Sequence, residues 1–501
     1  MNTKQKSLDS MFLIIVSIFL ITYVYWCWDI FEPDFYHIAN TGRDLLNDFS
    51  NLYYNNNFVL DGYATLIQQW IYCIIVYKVY DLFGMTGINV FVLLQFILLL
   101  STLIKLSKIL MNSNNLKTAS LIALLSLISF RYFNIRPQMI SMLLIISELI
   151  AIEKFKHTGK KKWLWILPLT VFIEINIHMT FWIFHFIVIL PYVVKINIMN
   201  NVLNNRLFII DDSIAFKNFI PYIFFMVLVL FFNPYGINGI LCLFNSTGIS
   251  ILGFEELQPL KILEEGGCFI IFTAVILVYL IKEGKITSST FFMSIGFTLL
   301  SATMLRNYIF FTISLVYILS TCINLKNFTL ELFEKRNKLL LIIISILLIY
   351  TPFKAVMCKE MAKDHTIPIE ITNYLKKYDS NIKNKKVFTD INVSSYFLWD
   401  GVGKIYIESK TEPYIEKINK KKDIISEYDY VTKYATIEDI NNFLDIYDFD
   451  YVCIPRGYVN LMNYFDNSKN YRCIFKTERD DPLEGKIVTY KLYEHQGGNE
   501  N

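Results

Sequence analysis

The segment after the first apolar run of the chain carries side chains that could move a proton or bind a cation. Pro33 suits the first turn of a helix, because the backbone N–H that proline lacks would have no partner there. In a helix that begins there, Asp34 and His37 lie one turn apart. The same face continues with Thr41, Asp44 and Asp48. A carboxylate and an imidazole at this spacing could act as a general base or bind a divalent cation such as Mg²⁺ or Mn²⁺. The alternative is an amphipathic helix with a solvated acidic face.

A second group of polar side chains interrupts the apolar segment FIEINIHMTFWIFH. Glu174 is ionisable and lies among apolar residues, where a charge is costly unless it faces water or a partner. Asn176 and His178 follow at the point where the chain is expected to turn. The three side chains could belong to a catalytic site, or they could form a capping network that closes a helix hairpin.

Three arginines lie at the ends of apolar runs. Arg131 and Arg136 occur in FRYFNIRPQM, and Arg306 occurs in ATMLRNYIFF. The planar guanidinium group matches the oxygens of a phosphate, so these side chains are candidates for phosphate binding. They could equally reach lipid headgroups from the ends of membrane helices.

The elements that must position these residues are predicted to be membrane helices. Hydrophobic residues make up 54% of the chain and charged residues only 18%, compared with about a quarter in typical soluble proteins. Apolar blocks recur at 11–28, 63–80, 88–110, 118–130, 138–152, 163–177, 180–194, 218–232, 268–281, 288–304, 307–325 and 339–353. The first block is too long for a cleavable signal peptide and lacks a small-residue cleavage site. We therefore predict a polytopic α-helical membrane region over 1–353 and a soluble domain over 354–501.

The distribution of basic residues predicts the topology. Short loops rich in Lys and Arg, such as 153–163, mark the cytoplasmic side. The N-terminus is then cytoplasmic, whereas the first loop, 29–62, and the C-terminal domain are extracytoplasmic. The segment 62–84 carries several polar side chains and is expected to lie at the outer interface without crossing. This arrangement has about eleven crossings, or roughly twelve to thirteen if 62–84 also crosses.

The C-terminal domain is predicted to be a small α/β domain. Strand patterns at 385–393, 404–409 and 449–455 alternate with helix patterns, and YRCIFKT with KIVTYKLYE predicts a closing hairpin. A threonine with an acid three residues later predicts the start of the helix in TIEDINNFLDIYD. The domain contains no Walker A loop, no G-x-G-x-x-G and no nucleophile elbow, so no independent catalytic site is expected in it.

Charge and cysteine content bear on the possible partners and disulfide bonds of the protein. The net charge of +3 does not indicate a nucleic-acid partner, because the lysines lie in short loops between helices. The eight cysteines include no C-x-x-C pair, and whether Cys453 and Cys473 pair is left open. The abundance of Asn, Lys and Ile is typical of an AT-rich bacterial genome.

Together these residues resemble the polytopic GT-C glycosyltransferases, which include protein mannosyltransferases, aminoarabinose transferases and the catalytic subunits of oligosaccharyltransferases. In that group an Asp, often within D-E-x-x-Y, begins the first extracytoplasmic loop. Asp34 and Tyr36 match this pattern, and Phe35 stands at the position of the second acid. The order of NIH, NPYG, EELQP, LRN, VFTDINVSSYFLWDG and KIYIESKTEPY is also similar to a group of uncharacterised bacterial and archaeal GT-C-like membrane proteins.

The resemblance implies a cell-membrane enzyme that transfers a hexosyl or pentosyl unit from a polyprenyl-phosphate or polyprenyl-diphosphate donor. The acceptor would be a glycan, lipid or protein at the outer face of the membrane. Asp34 would be the base, or would hold a metal ion with His37; His178 and Glu174 are further catalytic candidates. The expected substrate- and phosphate-binding residues are Tyr36, Arg131, Arg136, Arg306 and Asn176.

Two other functions stay open on the sequence. The chain could transport or flip a lipid-linked saccharide, or it could be a non-catalytic assembly protein. The absence of a visible internal repeat argues against transport, because many transporters are built from repeats.

Overall fold

The structure is a computed structural model that describes residues 33–127, 135–195, 209–245, 258–260, 265–282, 286–324, 368–481 and 485–496. Arg131 and the apolar blocks 11–28 and 339–353 lie outside the described residues. The chain divides into two compact units. The first comprises the described residues within Met85–Ile240 and Gly253–Met361, and the second those within Phe31–Gly84, Leu241–Leu252 and Ala362–Asn501.

Helices dominate the described part of the chain. In chain order the α-helices are α1 (Pro33–Asn47), α2 (Trp70–Leu110), α3 (Leu116–Ser126), α4 (Gln138–Thr158), α5 (Ile166–Ile177), α6 (Trp182–Ile187), α7 (Leu190–Val193), α8 (Ile220–Val229), α9 (Ile237–Asn245), α10 (Glu265–Lys282), α11 (Ser288–Thr303), α12 (Phe311–Asn324), α13 (Ile369–Tyr378), α14 (Ile391–Trp399), α15 (Glu416–Asn419), α16 (Ile424–Lys433), α17 (Ile437–Tyr447) and α18 (Val459–Asn467). The strands are β1 (Ile209–Ile210), β2 (Ile286–Thr287), β3 (Lys386–Thr389), β4 (Lys404–Ile405), β5 (Tyr451–Pro455), β6 (Tyr471–Asp481) and β7 (Gly485–His495).

Side-chain and glycine caps define several helix ends in the first unit. The Asn115 side chain accepts a hydrogen bond from the backbone N–H of Thr118 at the start of α3. At the end of α4, Gly159 has φ of 65°, the left-handed conformation that favours glycine at this position. Apart from α9, the helices from α3 to α12 overlap the predicted apolar blocks between 118 and 325, so their hydropathy pattern located them; α9 lies in the segment between 232 and 268, where no apolar block was predicted.

Helix α2 is interrupted at Gly84, where φ is 62° and ψ is −159°. A residue with a side chain would be strained there, so glycine permits the break. The boundary between the two compact units also lies at Gly84. Within the described residues, α2 is the one helix that has both the length and the apolar composition to cross a membrane.

A salt bridge and hydrogen bonds join distant segments of the first unit. The Asp212 carboxylate accepts hydrogen bonds from Ser288 Oγ at 2.7 Å and from the backbone N–H of Ser289 at 2.8 Å. Lys156 of α4 pairs with the same carboxylate. Beside this contact, β1 and β2 form a short parallel pair. The interactions hold the chain before α8 against the start of α11.

The second unit contains a five-stranded mixed sheet in the order β4-β3-β5-β7-β6. Strand β3 is parallel to β4 and β5, whereas β7 is antiparallel to both β5 and β6. The predicted strands, the short helix in SSYFLWDG and the closing hairpin are therefore confirmed in position. However, β4 is shorter than 404–409, and β3 ends at Thr389, so that the last part of the predicted strand 385–393 belongs to α14. Cys453, buried in the sheet, and Cys473, exposed on β6, are both free thiols.

Helix α17 begins with the predicted cap. Thr436 Oγ accepts a hydrogen bond from the Asp439 backbone N–H, and the Asp439 carboxylate accepts one from the Thr436 backbone N–H. This reciprocal pair satisfies two N–H groups that would otherwise have no partner inside the helix. Because the motif needs only residues three apart, the sequence alone predicted it.

Candidate active site

Helix α1 packs against α14 within the second unit, through an aromatic cluster and a polar contact. Phe35 and Tyr36 are buried against Trp399 and Tyr396, and the rings of Tyr36 and Tyr396 meet edge to face at 4.9 Å. Asn40 Nδ2 donates a hydrogen bond of 2.7 Å to the carbonyl oxygen of Ser395. These contacts make the first loop of the chain an integral part of the unit that contains the C-terminal sheet.

Tyr36, expected to bind substrate, lies inside this cluster and is 7% exposed. Burial, with a smaller contribution from Tyr396, raises the pKa of the Tyr36 phenol well above its usual range. The hydroxyl group is therefore neutral at physiological pH and can donate or accept a hydrogen bond, but it cannot act as a phenolate base.

Asp34 and His37 lie together at the start of α1, as their spacing predicts. The distance from His37 Nδ1 to Asp34 Oδ1 is 3.8 Å, and the Asp34 side chain is 24% exposed. On the other side of the imidazole, Gln69 Nε2 lies 3.1 Å from His37 Nε2. Because an amide N–H can only donate, this contact leaves the ring proton on Nδ1, which faces the carboxylate. The first turn of the helix also favours the negative charge of Asp34.

A cavity of about 270 Å³ opens beside the second half of α1. Its lining combines amides, charged groups of both signs and apolar side chains. The lining residues are Asn40, Arg43, Asp44, Asn56, Asn57, Phe58, Asp61, Leu398, Gly403, Lys404, Ile405 and Glu408. All belong to the second unit, so α1 and the chain around β4 form one polar surface there.

Hydrogen bonds from the first loop hold the chain around β4 in place. Asn57 Nδ2 donates to the carbonyl oxygen of Ile405 at 2.8 Å and lies 3.0 Å from the hydroxyl oxygen of Tyr414. Gln68 donates to the carboxylate of Glu412. These contacts connect residues more than 340 positions apart in sequence, so the wall of the cavity forms only in the folded chain.

Lys410 lies beside Glu408, one of the lining residues: its side chain is 14% exposed, and its Nζ is 3.4 Å from Glu408 Oε2. Burial opposes the positive charge, but the Glu408 and Asp44 carboxylates outweigh it and raise the pKa of Lys410 above its ordinary value. The ammonium group is therefore fixed as a cation between two acids. Sequence reasoning missed Lys410 and Glu408; the available signal was the pair of opposite charges in KIYIESK, directly after a strand.

Comparisons with known proteins give a structural match to the fold of this chain. No protein-family model matches the chain, and no curated protein matches it in sequence. One similar solved structure is the Archaeoglobus fulgidus oligosaccharyltransferase tethered to an acceptor peptide containing the NVT sequon. It has a TM-score of 0.52 and 10% identity, and the match covers 95% of this chain and 75% of the other.

This chain has a fold similar to that of an archaeal oligosaccharyltransferase. A second structure, AglB from Archaeoglobus fulgidus with an inhibitory peptide and a dolichol-phosphate, has a TM-score of 0.51 and 9% identity. That match covers 95% of this chain and 74% of AglB. At such low identity the likeness concerns the fold, including the helical region and the C-terminal mixed sheet.

The oligosaccharyltransferase-like helical unit contains the other predicted group, Glu174 and His178, as part of a larger buried network. His185 lies between two carboxylates: its Nδ1 is 3.0 Å from Glu148 Oε1 and its Nε2 is 3.3 Å from Glu174 Oε2. Ser141 Oγ donates to Glu174 Oε1 at 2.5 Å and lies 3.1 Å from His178 Nδ1. The two carboxylates and two imidazoles are 0% exposed.

The buried network connects α4, α5 and α6. Such groups are costly in an apolar environment unless they are paired, and here they pair with one another. Sequence reasoning did not identify Glu148, whose only signal was an acid within the apolar run SMLLIISELIAI. His185 is the last residue of the segment FIEINIHMTFWIFH, and its place in the sequence does not indicate its partners.

Asn176 and two of the three arginines fall within the described residues. Asn176 Nδ2 donates to the carbonyl oxygens of Phe172 at 3.0 Å and Phe232 at 2.9 Å, which joins α5 to the end of α8. Arg136 is half-buried in the bend before α4, and Arg306 belongs to the 3₁₀ helix Leu305–Phe310. The side chain of Arg306 lies outside the described part of the structure.

The donors for a divalent metal ion are incomplete within the described residues. No group of three or more His, Cys, Asp or Glu side chains there is arranged to hold a metal ion. Asp34 and His37 supply two donors, whereas Mg²⁺ requires near-octahedral oxygen coordination. The described residues therefore do not by themselves fit such an ion.

Proposed function

We propose that the protein is a membrane glycosyltransferase of the GT-C type. It would move a sugar from a polyprenyl-phosphate or polyprenyl-diphosphate donor to a glycan, lipid or protein acceptor at the outer face of the cell membrane. The observation that carries the proposal is the fold likeness to the archaeal oligosaccharyltransferase over 95% of the chain. The second of the similar structures contains a dolichol-phosphate, which is a lipid of the proposed donor class.

The position of Asp34 supports its proposed role as general base. It lies in the first turn of α1 and is partly exposed. As the bond from the sugar to the phosphate oxygen breaks, the phosphate would leave with the electron pair. The acceptor hydroxyl oxygen would form the new bond to the sugar and pass its proton to the Asp34 carboxylate.

His37 would position this base. Its Nδ1 proton faces Asp34, and the Gln69 amide holds the opposite ring nitrogen. That arrangement would favour the Nδ1–H tautomer and place its proton 3.8 Å from the carboxylate, so the imidazole would act on the base without contacting the substrate. The resemblance to the GT-C enzymes assigns the phosphate-binding role to Arg131, Arg136 and Arg306, and this assignment stays a prediction from the sequence.

The test uses purified full-length protein with a panel of synthetic polyprenyl-phosphate and polyprenyl-diphosphate sugars. Release of the polyprenyl product is measured for the wild type and for Asp34→Asn. Loss of a positioned base typically costs about 10²- to 10⁴-fold in rate, so we expect Asp34→Asn to slow release by that amount. Binding of the donor should change little, because the amide keeps the size of the carboxylate.

Asp48→Asn is the matched control. Asp48 belongs to the same predicted acidic face but is exposed and accepts a hydrogen bond from the backbone N–H of Ser50. Asparagine is an equally good cap, so release should stay at the wild-type rate. Unchanged release by a folded Asp34→Asn protein would contradict the proposed base. Donor binding without any turnover by the wild type would instead favour a transporter.

A further inference from the structure

The cavity beside α1 lies apart from the proposed reaction centre. Asp44, in its wall, is ten residues beyond Asp34 on the same helix, or about 15 Å at about 1.5 Å per residue. A ligand group in the cavity would therefore be separated from the bond that reacts at Asp34.

The chemistry of the lining indicates the kind of ligand. The exposed Asn56 amide offers both donors and an acceptor, whereas the amides of Asn40 and Asn57 are already hydrogen-bonded to protein groups. The charged lining residues are three acids and two bases: Asp44, Asp61, Glu408, Arg43 and Lys404. Because Glu408 already faces Lys410, the charges around the cavity nearly balance, so neither an anionic nor a cationic ligand is favoured. A neutral ligand with many hydroxyl groups can instead donate to the acids and accept from the Asn56 amide and the bases.

The shape and the apolar part of the cavity fit the same ligand. Phe58 and Leu398 line one part of it, where they offer a surface to the C–H groups of a sugar ring. The volume of about 270 Å³ lies just below the range of about 300–1,000 Å³ that is usual for small-molecule sites, which suits a single monosaccharide unit.

We propose that this cavity binds a sugar unit remote from the reacting bond, and that the glycan handled by the protein therefore contains several sugar units. The inference rests on the proposed glycosyltransferase function and adds the class of substrate. The bound unit would belong either to the glycan of the lipid-linked donor or to a glycan acceptor, because both offer the same hydroxyl groups.

The rim of the cavity allows a test that spares the fold. Asn56 and Asp61 are both exposed, so replacing both with alanine removes recognition groups without emptying a core position. Asn442→Ala with Asp445→Ala is the matched control, since these residues are exposed on α17 and do not line the cavity. Circular dichroism would verify that both double variants are folded.

Binding is measured on the full-length protein in detergent by saturation-transfer NMR. The probes are the methyl glycosides of glucose, galactose, mannose, rhamnose, N-acetylglucosamine and N-acetylgalactosamine. At least one should bind the wild type and the control, with about tenfold or greater loss of affinity in the Asn56→Ala, Asp61→Ala variant. Asp34→Asn should bind the same glycoside normally, which separates this site from the failure or success of transfer.

Three outcomes would overturn the proposal. No glycoside binds; the cavity variant binds the glycoside as well as the wild type does; or the cavity binds an anion (probe, inorganic phosphate) or a basic peptide (probe, tetralysine) in place of a sugar.

The source of the sugar unit is found with donors that carry one or several sugars. A cavity variant that loses its preference for longer donors indicates the donor glycan. A cavity variant that loses affinity only for longer saccharide acceptors indicates that the bound sugar unit belongs to the acceptor.

Discussion

Asp390 shows how one side chain couples stability to pH. It lies at the start of α14, where its carboxylate accepts a hydrogen bond of 2.7 Å from the backbone N–H of Asn392, and it is 6% exposed. Burial is the largest influence and raises the pKa of this acid above its ordinary value of 3.8, although the hydrogen bonds to Asn392 oppose the change.

The raised pKa predicts that Asp390 favours folding most at low pH. Its contribution is fully present below the unfolded pKa of about 3.9 and is lost as pH rises through the higher folded pKa. Asp390→Asn keeps an oxygen that can cap the helix and removes the titration. We expect the variant to be at least as stable as the wild type at pH 7 and to gain less stability on acidification, as measured by hydrogen exchange of α14 in the full chain.

Asp439→Asn is the control, because the pKa of Asp439 is shifted in the opposite direction. Its pKa is lowered by the hydrogen bonds from Thr436, so Asp439 stabilises the fold above the unfolded pKa and loses that effect as pH falls. If Asp390→Asn changed the pH profile in the same direction as Asp439→Asn, the assigned shift of Asp390 would be wrong.

At the scale of elements, one glycine determines how closely α1 approaches the start of α2. A Cβ atom on Gly42 would lie 2.1 Å from the carbonyl oxygen of Cys73 and 2.7 Å from Cβ of Tyr77. Since a backbone oxygen cannot move aside alone, a side chain at this position would force the two helices apart.

Gly42→Ala is therefore expected to destabilise the protein by about 1–3 kcal/mol, the usual cost of overpacking. Gly296→Ala, in α11, is the matched control, because a Cβ there would meet nothing within 4 Å. The control should be neutral or more stable by up to about 1 kcal/mol, given the helix preference of alanine. Thermal unfolding in detergent distinguishes the two; equal stability of both variants would contradict the close contact.

For the whole molecule, the packing of α1 against α14 bears on the topology. Residues 33–60 and the C-terminal sheet belong to one compact unit. A folded unit cannot be divided by a lipid bilayer, because buried polar backbone groups need partners that hydrocarbon does not supply. This supports the proposal that the first loop and the C-terminal domain face the same, outer side.

A membrane-impermeant maleimide tests that proposal in intact cells. The wild-type chain should be labelled at Cys473, which is exposed, with the site read by mass spectrometry of the peptides. Asn56→Cys in the first loop should also be labelled. Lys160→Cys, in the predicted cytoplasmic loop, should react only after the membrane is permeabilised. Labelling of Asn56→Cys and Cys473 under opposite conditions would exclude the proposed topology and the transferase function built on it.

The sequence by itself determined the features that depend on near neighbours. The helices of the apolar blocks follow from hydropathy, and the contact between Asp34 and His37 follows from their spacing on one helix. The capping pair of Thr436 and Asp439 likewise needs only residues three apart. In each case the geometry of a single helix turn is enough, so no knowledge of the rest of the chain was required.

Tertiary structure decided the features that depend on distant partners. The cavity brings Asp44 beside Glu408, and the buried network places His185 between Glu148 and Glu174. In the sequence these residues are isolated charges, each of which could lie on a solvated surface or in a buried site. Only packing distinguishes the two, because the free energy of a charge depends on which groups from other elements replace its water.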